Sequence, residues 1–385
     1  MEPDARMKKN LALLIYSLGA GGAERVVSRL IPFLESRYNV TLVLMNDTVF
    51  YAIPEHLPVY YLERSQADEA GWKKLLKLPL LAFRYARFCR NHSIDVSLSF
   101  MNRPNYINTL SKIFGFKGRV LISERAMPSL QYGYGNTMSK INRYLIKKLY
   151  PKADGIMANS YGNAKDLQEN FHIQTPIEIL HNPCDTESIA RASRKTAGGF
   201  PEDRAFTFIT VGRMDEGKNH RLLIEAMARI TDTKARLIII GDGPLREALE
   251  NLTIRLGMAE RVMFAGRQEN PYAWLVRSDC FVFGSNHEGF PNVVLEALAC
   301  GLPVISTDCP SGPREILAPE NGGAFGVLVP VGDTEAMALA MEGLIQDDTL
   351  REHYAKRATI RAQAFALEPF ADQFMDYINA MEEEE

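Results

Sequence analysis

The amino-acid sequence predicts an α/β protein built of two doubly wound domains, each a parallel sheet covered by helices on both faces. Three observations carry this prediction. Short, almost wholly apolar runs alternate with segments of helical period, the pattern of strands buried on both faces in βαβ order. The alternation stops once, over 181–200, where His181-Asn182-Pro183 and Gly198-Gly199-Phe200-Pro201 supply breakers and no period. The length of 385 residues, 46% apolar and 24% charged, is enough for two cores of ordinary size. The expected organisation is an N-terminal domain over 1–180, a linker over 181–200 and a C-terminal domain over 201–365. A last helix within 366–385 then packs back on the N-terminal domain and ends in an acidic tail.

In the first half the pattern places strands at 11–17, 40–45, 59–62, 96–100, 120–123 and 155–159. Helices fall at 23–34, 72–91, 106–113 and 138–150, with a kink expected at Pro79. The second half reads as strands at 206–211, 236–240, 262–265, 280–283, 304–306 and 327–329. Sheets of this kind bind ligands beyond the carboxyl ends of their strands, so two of them are expected to face each other across a ligand-binding cleft.

Composition excludes several classes. The five cysteines, Cys89, Cys184, Cys280, Cys300 and Cys309, show no Cys-x-x-Cys spacing, which speaks against a disulfide scaffold or a cysteine zinc site and fits a reducing cytoplasm. Met1–Asn10 is polar and the first apolar run, Leu11–Ile15, is short, so no signal peptide is expected; nor is there a run of ~20 apolar residues to span a membrane. The net charge of −3 implies no nucleic-acid partner, but it hides an asymmetry. Residues 1–180 carry 24 Lys and Arg against 15 Asp and Glu, and residues 181–385 carry 20 against 32. The basic half points to an anionic surface or ligand.

The densest chemistry follows strand 280–283, in Gly284-Ser285-Asn286-His287-Glu288-Gly289-Phe290-Pro291-Asn292, with Pro291 expected at the first position of a helix. The N–H groups of such a first turn suit a diphosphate. Glu288 and Glu296 flank it, and two carboxylates beside a phosphate make sense when each bonds a hydroxyl, as a sugar nucleotide offers. Their bland alternative is a loop carboxylate and a solvated helix residue. A second cluster, Gly212-Arg213-Met214-Asp215-Glu216-Gly217-Lys218-Asn219, follows strand 206–211 and offers two cations to phosphates, Arg213 as a fork and Lys218 as a point charge. The alternative there is an exposed loop whose cations pair with Asp215 and Glu216. Gly19–Gly22 and Gly241-Asp242-Gly243-Pro244 read as tight turns; the first lacks the spacing of a dinucleotide fingerprint, which disfavours a dehydrogenase.

Taken together, Gly21-Gly22, Arg213-x4-Lys218, Gly241-Asp242-Gly243-Pro244 and Glu288-x7-Glu296 resemble family-4 retaining glycosyltransferases of the GT-B fold, two Rossmann-like domains, over about Leu11 to Arg361. The resemblance implies that Arg213 and Lys218 bind the nucleotide diphosphate, Glu288 holds the donor sugar and Glu296 bonds the ribose, with Glu288, Arg213 and Lys218 as the catalytic set. It places Gly21, Gly22, Gly243, Gly289, Phe290, Pro291 and Asn292 around the nucleotide sugar, and the backbone of Arg267 at the base. Ile15–Gly19, Met45–Asp47, Asn102-Arg103-Pro104-Asn105-Tyr106 and Leu149–Asp154 further resemble the N-acetylgalactosaminyltransferases of bacterial N-glycan assembly. That subgroup implies UDP-GalNAc as donor and an undecaprenyl-diphosphate-linked oligosaccharide as acceptor. Where many relatives carry a His after a Ser-Glu pair, this chain has Ser123-Glu124-Arg125, so no catalytic histidine is carried over.

No Asp-x-Asp is present, so the leaving diphosphate is expected to be neutralised by Arg213, Lys218 and the helix start, with no metal and no cofactor. Retention is expected through front-face attack. Asn102, Arg103, Asn105, Glu124 and Arg125 follow strand ends and are the expected acceptor contacts. Residues 72–91 contain no acidic residue; Lys73, Lys77, Arg84 and Arg87 are expected on one helical face, and Lys140 and Lys147 repeat the theme. These residues are expected to dock the first domain on the inner face of the cytoplasmic membrane. Competing readings are a transferase for another lipid-linked, lipopolysaccharide or capsule glycan, a GT-B sugar-nucleotide epimerase, and a two-lobed solute-binding protein.

Overall fold

A computed structural model describes residues 8–383 except 20, 66–68 and 321. The chain forms two compact units, one of Met1–Asn182 with Glu368–Glu385, the other of Pro183–Leu367. The first holds seven strands: β1 (Lys9–Ile15), β2 (Tyr38–Leu44), β3 (Val59–Tyr61), β4 (Val96–Phe100), β5 (Arg119–Glu124), β6 (Gly155–Ala158) and β7 (Ile177–Ile179). The second holds β8 (Thr207–Val211), β9 (Arg236–Ile240), β10 (Val262–Gly266), β11 (Cys280–Phe283), β12 (Val304–Thr307) and β13 (Val327–Val329). Both sheets are parallel throughout, in the orders β3-β2-β1-β4-β5-β6-β7 and β10-β9-β8-β11-β12-β13. The order reverses between β1 and β4 and between β8 and β11, and at such a switch the loops leaving two adjacent strands diverge and open a crevice.

The first sheet is solidly apolar at its centre: Leu11–Ile15 of β1 are all fully buried. The helix Asn102–Ser111 beside it is different, because its inner face is polar. Asn108 Nδ2 donates to the carbonyls of Ser97 and Leu121 at 3.1 and 3.0 Å, and Ser97 Oγ lies 2.6 Å from both Tyr85 Oη and Asn108 Oδ1. Low local dielectric makes each of these bonds stronger and each unmade one costly, so the helix has one seating on β4 and β5. This fixes the orientation of its first turn, where Asn102 and Arg103 stand.

Three expectations are corrected. The helix expected over 72–91 is two, Gly71–Leu76 and Leu78–Asn91, separated at Lys77; Pro79 sits in the first turn of the second, where its missing N–H costs nothing. The stretch read as a linker contains the helix Thr186–Ser193, and Ile189 and Ala197 are buried in the core of the second unit, so 183–200 belong to that unit. Strand β7 was not anticipated, being a three-residue, half-buried edge strand too short to show a period. The helix Leu367–Glu383 lies with the first unit, where Phe374 and Ile378 are buried and Tyr377 Oη donates to the Ile156 carbonyl at 3.4 Å. The end of the acidic tail, 384–385, lies outside the described residues.

Candidate active site

The switch point of the second sheet gathers the residues singled out in 212–219 and 284–296. The loops leaving β8 and β11 are stitched together. Asn286 donates its backbone N–H to the Gly217 carbonyl at 2.8 Å and its side-chain amide to the Glu216 carbonyl at 2.8 Å, and Asn219 Nδ2 donates to Asn286 Oδ1 at 3.1 Å. Asn219 also caps the helix His220–Met227 by accepting from the Leu222 N–H, with its own backbone left-handed at φ +45°. The sequence shows this signal, an Asn directly before a helical run. What it could not show is the second bond, to a residue 67 positions away.

Across that seam Lys218 Nζ meets Glu288 Oε1 at 2.6 Å, with both side chains mostly buried, and the same ammonium lies 5.4 Å from the centre of the Phe283 ring. The sequence offered Asp215 and Glu216 as competing partners for the cations. Asp215 Oδ1 accepts instead from the Lys218 backbone N–H at 3.1 Å, which shapes the turn and leaves the ammonium to Glu288. Arg213 is different: its side chain is 71% exposed and only 3.8 Å contact with Asp215 restrains it. Behind the turn, His220 is buried, and that burial, reinforced by Lys218, pushes its imidazole down to about 4, so it stays neutral.

The loop leaving β9 closes a third side. Met214 N–H donates to the Asp242 carbonyl and Leu245 N–H returns to the Met214 carbonyl. Gly243 has to be a glycine, because a Cβ there would lie 2.7 Å from the Met214 nitrogen. Arg267, after β10, is exposed. The helix near Glu288 is Asn292–Ala299, so Pro291 is at the N-cap and Asn292 takes the first position, one residue later than expected. Pro291 offers no side-chain cap to that turn. Gly289 and Phe290 are held from beneath, Ser311 Oγ donating to the Gly289 carbonyl at 2.7 Å and Phe290 packing on Phe365 at 5.5 Å. Glu296 is buried rather than solvated.

In the first unit, Gly21 is the N-cap of the helix Gly22–Arg37, and the Glu24 carboxyl folds over it; burial raises that carboxyl above its usual range. The residues expected to meet an acceptor do lie at or after strand ends, beyond β4 and β5. Asn102, Arg103 and Asn105 are in the first turn of a helix, and Asn105 is fully buried, its amide bonded to Ser99 Oγ, the Ser123 carbonyl and Tyr150 Oη. Arg103 pairs with Glu63 at 2.9 Å while its Nε and Nη1 are buried without partners. Glu124, at the end of β5, accepts from the backbone N–H groups of Arg125 and Ala126 at 2.9 and 3.2 Å and from Tyr150 Oη at 2.7 Å. Arg125 donates to Asn182 Oδ1 at 2.6 Å and lies 5.8 Å from the Phe100 ring centre.

Burial raises the Glu124 carboxyl to about 7 against the pull of those three donors. The folded chain therefore holds a proton here that the unfolded chain releases near 4.5, so this group's contribution to stability falls as pH rises from about 4.5 to 7. Thermal melts of the native protein and Glu124→Gln between pH 5 and 8 should diverge in slope, the native protein losing stability toward pH 7 and the variant staying flatter. Parallel curves would show that Glu124 does not titrate in this range.

Of the cations expected at a membrane, Lys73, Arg84, Arg87, Lys140 and Lys147 are exposed. Lys77 is not available in the same way, since it pairs with Glu63 at 2.8 Å and with Glu69. Because the helix breaks at Lys77, Lys73 also stands on a different helix from Arg84 and Arg87, and the single four-residue face is not formed. Among the described residues no helix is long and apolar enough to cross a membrane.

Comparison with known proteins adds identity to this geometry. The profile for Glycosyltransferase Family 4 matches residues 20–188 and that for Glycosyl transferases group 1 matches 193–361. The chain is 42% identical, over 96% of its length and 99% of the relative, to the N-acetylgalactosamine-N,N'-diacetylbacillosaminyl-diphospho-undecaprenol 4-alpha-N-acetylgalactosaminyltransferase of Campylobacter jejuni. It is 25% identical, over 96% of its length and 98% of the relative, to an alpha-1,4-N-acetyl-D-galactosaminyltransferase of the same organism named for a diphosphoundecaprenol-linked acceptor. Among solved structures, the sucrose-phosphate synthase of Thermosynechococcus elongatus superposes with a TM-score of 0.81 at 20% identity, covering 97% of this chain and 99% of that one.

Proposed function

The chain belongs to glycosyltransferase family 4, with the GT-B fold, and from that premise we propose that it transfers GalNAc from UDP-GalNAc to an undecaprenyl-diphosphate-linked oligosaccharide in protein N-glycosylation. One observation supports the chemistry above others: the Lys218–Glu288 contact at the switch point of the second sheet, a cation and a hydroxyl-binding carboxylate held in one place before any ligand arrives. In this reading Lys218 and Arg213 take the diphosphate. Arg213, exposed and loosely held, can swing onto it, and the start of the helix Asn292–Ala299 adds the positive end of its dipole. Glu288 exchanges its ion pair for a hydroxyl of the sugar, Glu296 takes the ribose, and Gly243 lets the backbone approach. The base lies against the Arg267 backbone.

The reaction breaks the bond from the anomeric carbon to the phosphate oxygen and forms one from the acceptor oxygen on the same face. The acceptor's proton passes to the departing phosphate oxygen, so configuration is retained without a protein nucleophile. Charge accumulates on the diphosphate, where Lys218 is held in place in advance and Arg213 closes onto it. On the acceptor side Asn102, Arg103 and Arg125 retain bonding capacity, whereas Asn105 and Glu124 hold the framework. The exposed Lys73, Arg84, Arg87, Lys140 and Lys147 draw the first unit to the inner face of the cytoplasmic membrane, at ~1 kcal/mol for each basic residue near an anionic leaflet.

Incubation with UDP-GalNAc and a short polyprenyl-diphosphate glycan should give an α-linked product, at a rate unchanged by complete chelation of divalent ions. UDP-GalNAc alone should be left intact. Conversion of the donor without acceptor would identify an epimerase, transfer from a different UDP-sugar would reassign the donor, and loss of activity on chelation would overturn the metal-free mechanism.

A further inference from the structure

We infer that Arg103 and Glu69, joined through Glu63 and Lys77, form a subsite for a neutral sugar residue of the acceptor. Arg103 donates to the hydroxyl or acetamido groups of that sugar and Glu69 accepts from them. The subsite rests on the acceptor reading of the first unit; it adds Glu69 to the contacts and states which part of the acceptor is held.

The cluster stands at the carboxyl edge of the first sheet. Glu63 follows β3 and Arg103 lies in the first turn of the helix after β4, while β2 and β1 lie between those two strands in the sheet. The segment carrying Glu63 is tied down along the way. Leu62 N–H donates to the Leu44 carbonyl at 2.8 Å, Ser65 N–H to the Met45 carbonyl at 3.0 Å, and Ser65 Oγ to Tyr16 Oη, just after β1, at 2.9 Å. The ion pair of Arg103 Nη2 with Glu63 Oε2, at 2.9 Å, therefore crosses the switch point between β1 and β4, where a sheet of this kind opens its crevice.

Some of the cluster's bonds are made and some are not. Lys77 Nζ pairs with Glu63 Oε1 at 2.8 Å and also with Glu69 Oε1, so both oxygens of Glu63 are used. Glu69 Oε2 and the Nε and Nη1 of Arg103 are buried and have no partner among the described residues. Neither is a free surface group, for each side chain is only 13% exposed. A buried charged group with an unmade bond is costly. The series Arg103, Glu63, Lys77, Glu69 thus carries spare donors at one end and a spare acceptor at the other.

Those spare atoms select the chemistry of the ligand. The two cations and two carboxylates of the series cancel, so an anion gains little net attraction. A phosphodiester, which only accepts, would also meet the unpaired Glu69 oxygen, and a cation would meet Arg103. Lys74, 5.5 Å from the Tyr16 ring centre, is not free either. A sugar hydroxyl both donates and accepts, and an acetamido group carries one N–H and one carbonyl, so a hexosamine satisfies both ends at once.

Two measurements on the full chain test this, each made well below the melting temperature of every variant. The first is steady-state kinetics with UDP-GalNAc and a short polyprenyl-diphosphate glycan. The second is binding of the same glycan as an uncharged alkyl glycoside, followed by saturation-transfer NMR. Arg103→Lys keeps the charge that pairs with Glu63 but lacks the fork that supplies the spare donors. Glu69→Gln keeps the shape and loses the carboxylate. Each should raise the acceptor KM by about tenfold or more, leave the donor KM within about twofold, and weaken the glycoside signal to match. Either variant decides the matter if the other fails to fold. An unchanged acceptor KM would overturn the subsite. So would a raised KM with an undiminished glycoside signal, which would assign the cluster to the diphosphate. Absence of transfer by the native chain would overturn the functional reading instead, and the glycoside signal, present in the native chain and lost in the variants, would still uphold the subsite.

Discussion

Lys218→Ala should lower turnover with UDP-sugar by two to three orders of magnitude, and Glu288→Gln should do so comparably. The magnitude is that of losing one preorganised charge from a site where negative charge builds up in the transition state, roughly 10²–10³ in kcat. Because Lys218 and Glu288 are in contact at 2.6 Å and both mostly buried, each also fixes the other. The double variant should therefore lose far less than the product of the two single losses. The split between constants carries the mechanism: if Lys218 acts on charge developing in the leaving diphosphate, kcat falls more than KM rises. Turnover near that of the native chain would mean the donor site lies elsewhere. A pure KM effect would mean Lys218 only binds.

Gly241→Ala should destabilise the second unit by about 3 kcal/mol or more. The position has φ +135°, in a region that residues with a Cβ rarely enter, and the added Cβ would overlap the carbonyl oxygen of Gly212 and stand 2.9 Å from its carbon. Strain at such a backbone costs ~1–3 kcal/mol and forcing atoms into a packed position a similar amount. Neither neighbour is a flexible side chain; Gly212 is tied to Ile240 by a backbone hydrogen bond of 2.9 Å, and the displaced segment is the one that carries Arg213 and Lys218. Activity should therefore fall along with stability. Gly257→Ala is the matched control, with φ +68° and nothing within 4 Å of the new Cβ, and should cost only about 1 kcal/mol. Urea unfolding followed by the fluorescence of buried Trp274 measures both; similar small costs would show that the Gly212 contact relaxes freely.

Much of the donor site was legible because its chemistry is concentrated in two short stretches, each directly after an apolar run. Lys218, Glu288 and Glu296 could be singled out on residue type and spacing, and the family resemblance assigned them roles. The acceptor side was less legible for an identifiable reason. Asn102-Arg103-Pro104-Asn105 looks like a turn, with Asn flanking a Pro, and yet it is the first turn of a helix, where Pro is tolerated because it has no N–H to lose. Asn105 then points inward, to Ser99, Ser123 and Tyr150, and no local pattern distinguishes an Asn that faces a ligand from one that holds a helix on a sheet. Glu124 carries the same ambiguity: a carboxylate at a strand end reads as a ligand contact until Tyr150 and two N–H groups are found around it.

By itself the sequence determined the two-sheet α/β class, nearly all the strands and the residues that carry charge at their ends, because period and breakers are properties of a few consecutive residues. The tertiary structure decided which loops became neighbours. Lys218 and Glu288 are 70 residues apart, and they meet because β11 pairs with β8, reversing the strand order at the middle of the sheet. Strand order follows from packing many distant side chains at once. Ion pairing follows from the same packing, and it separates Lys77, paired with two carboxylates, from Arg84 and Arg87, which have none among the described residues.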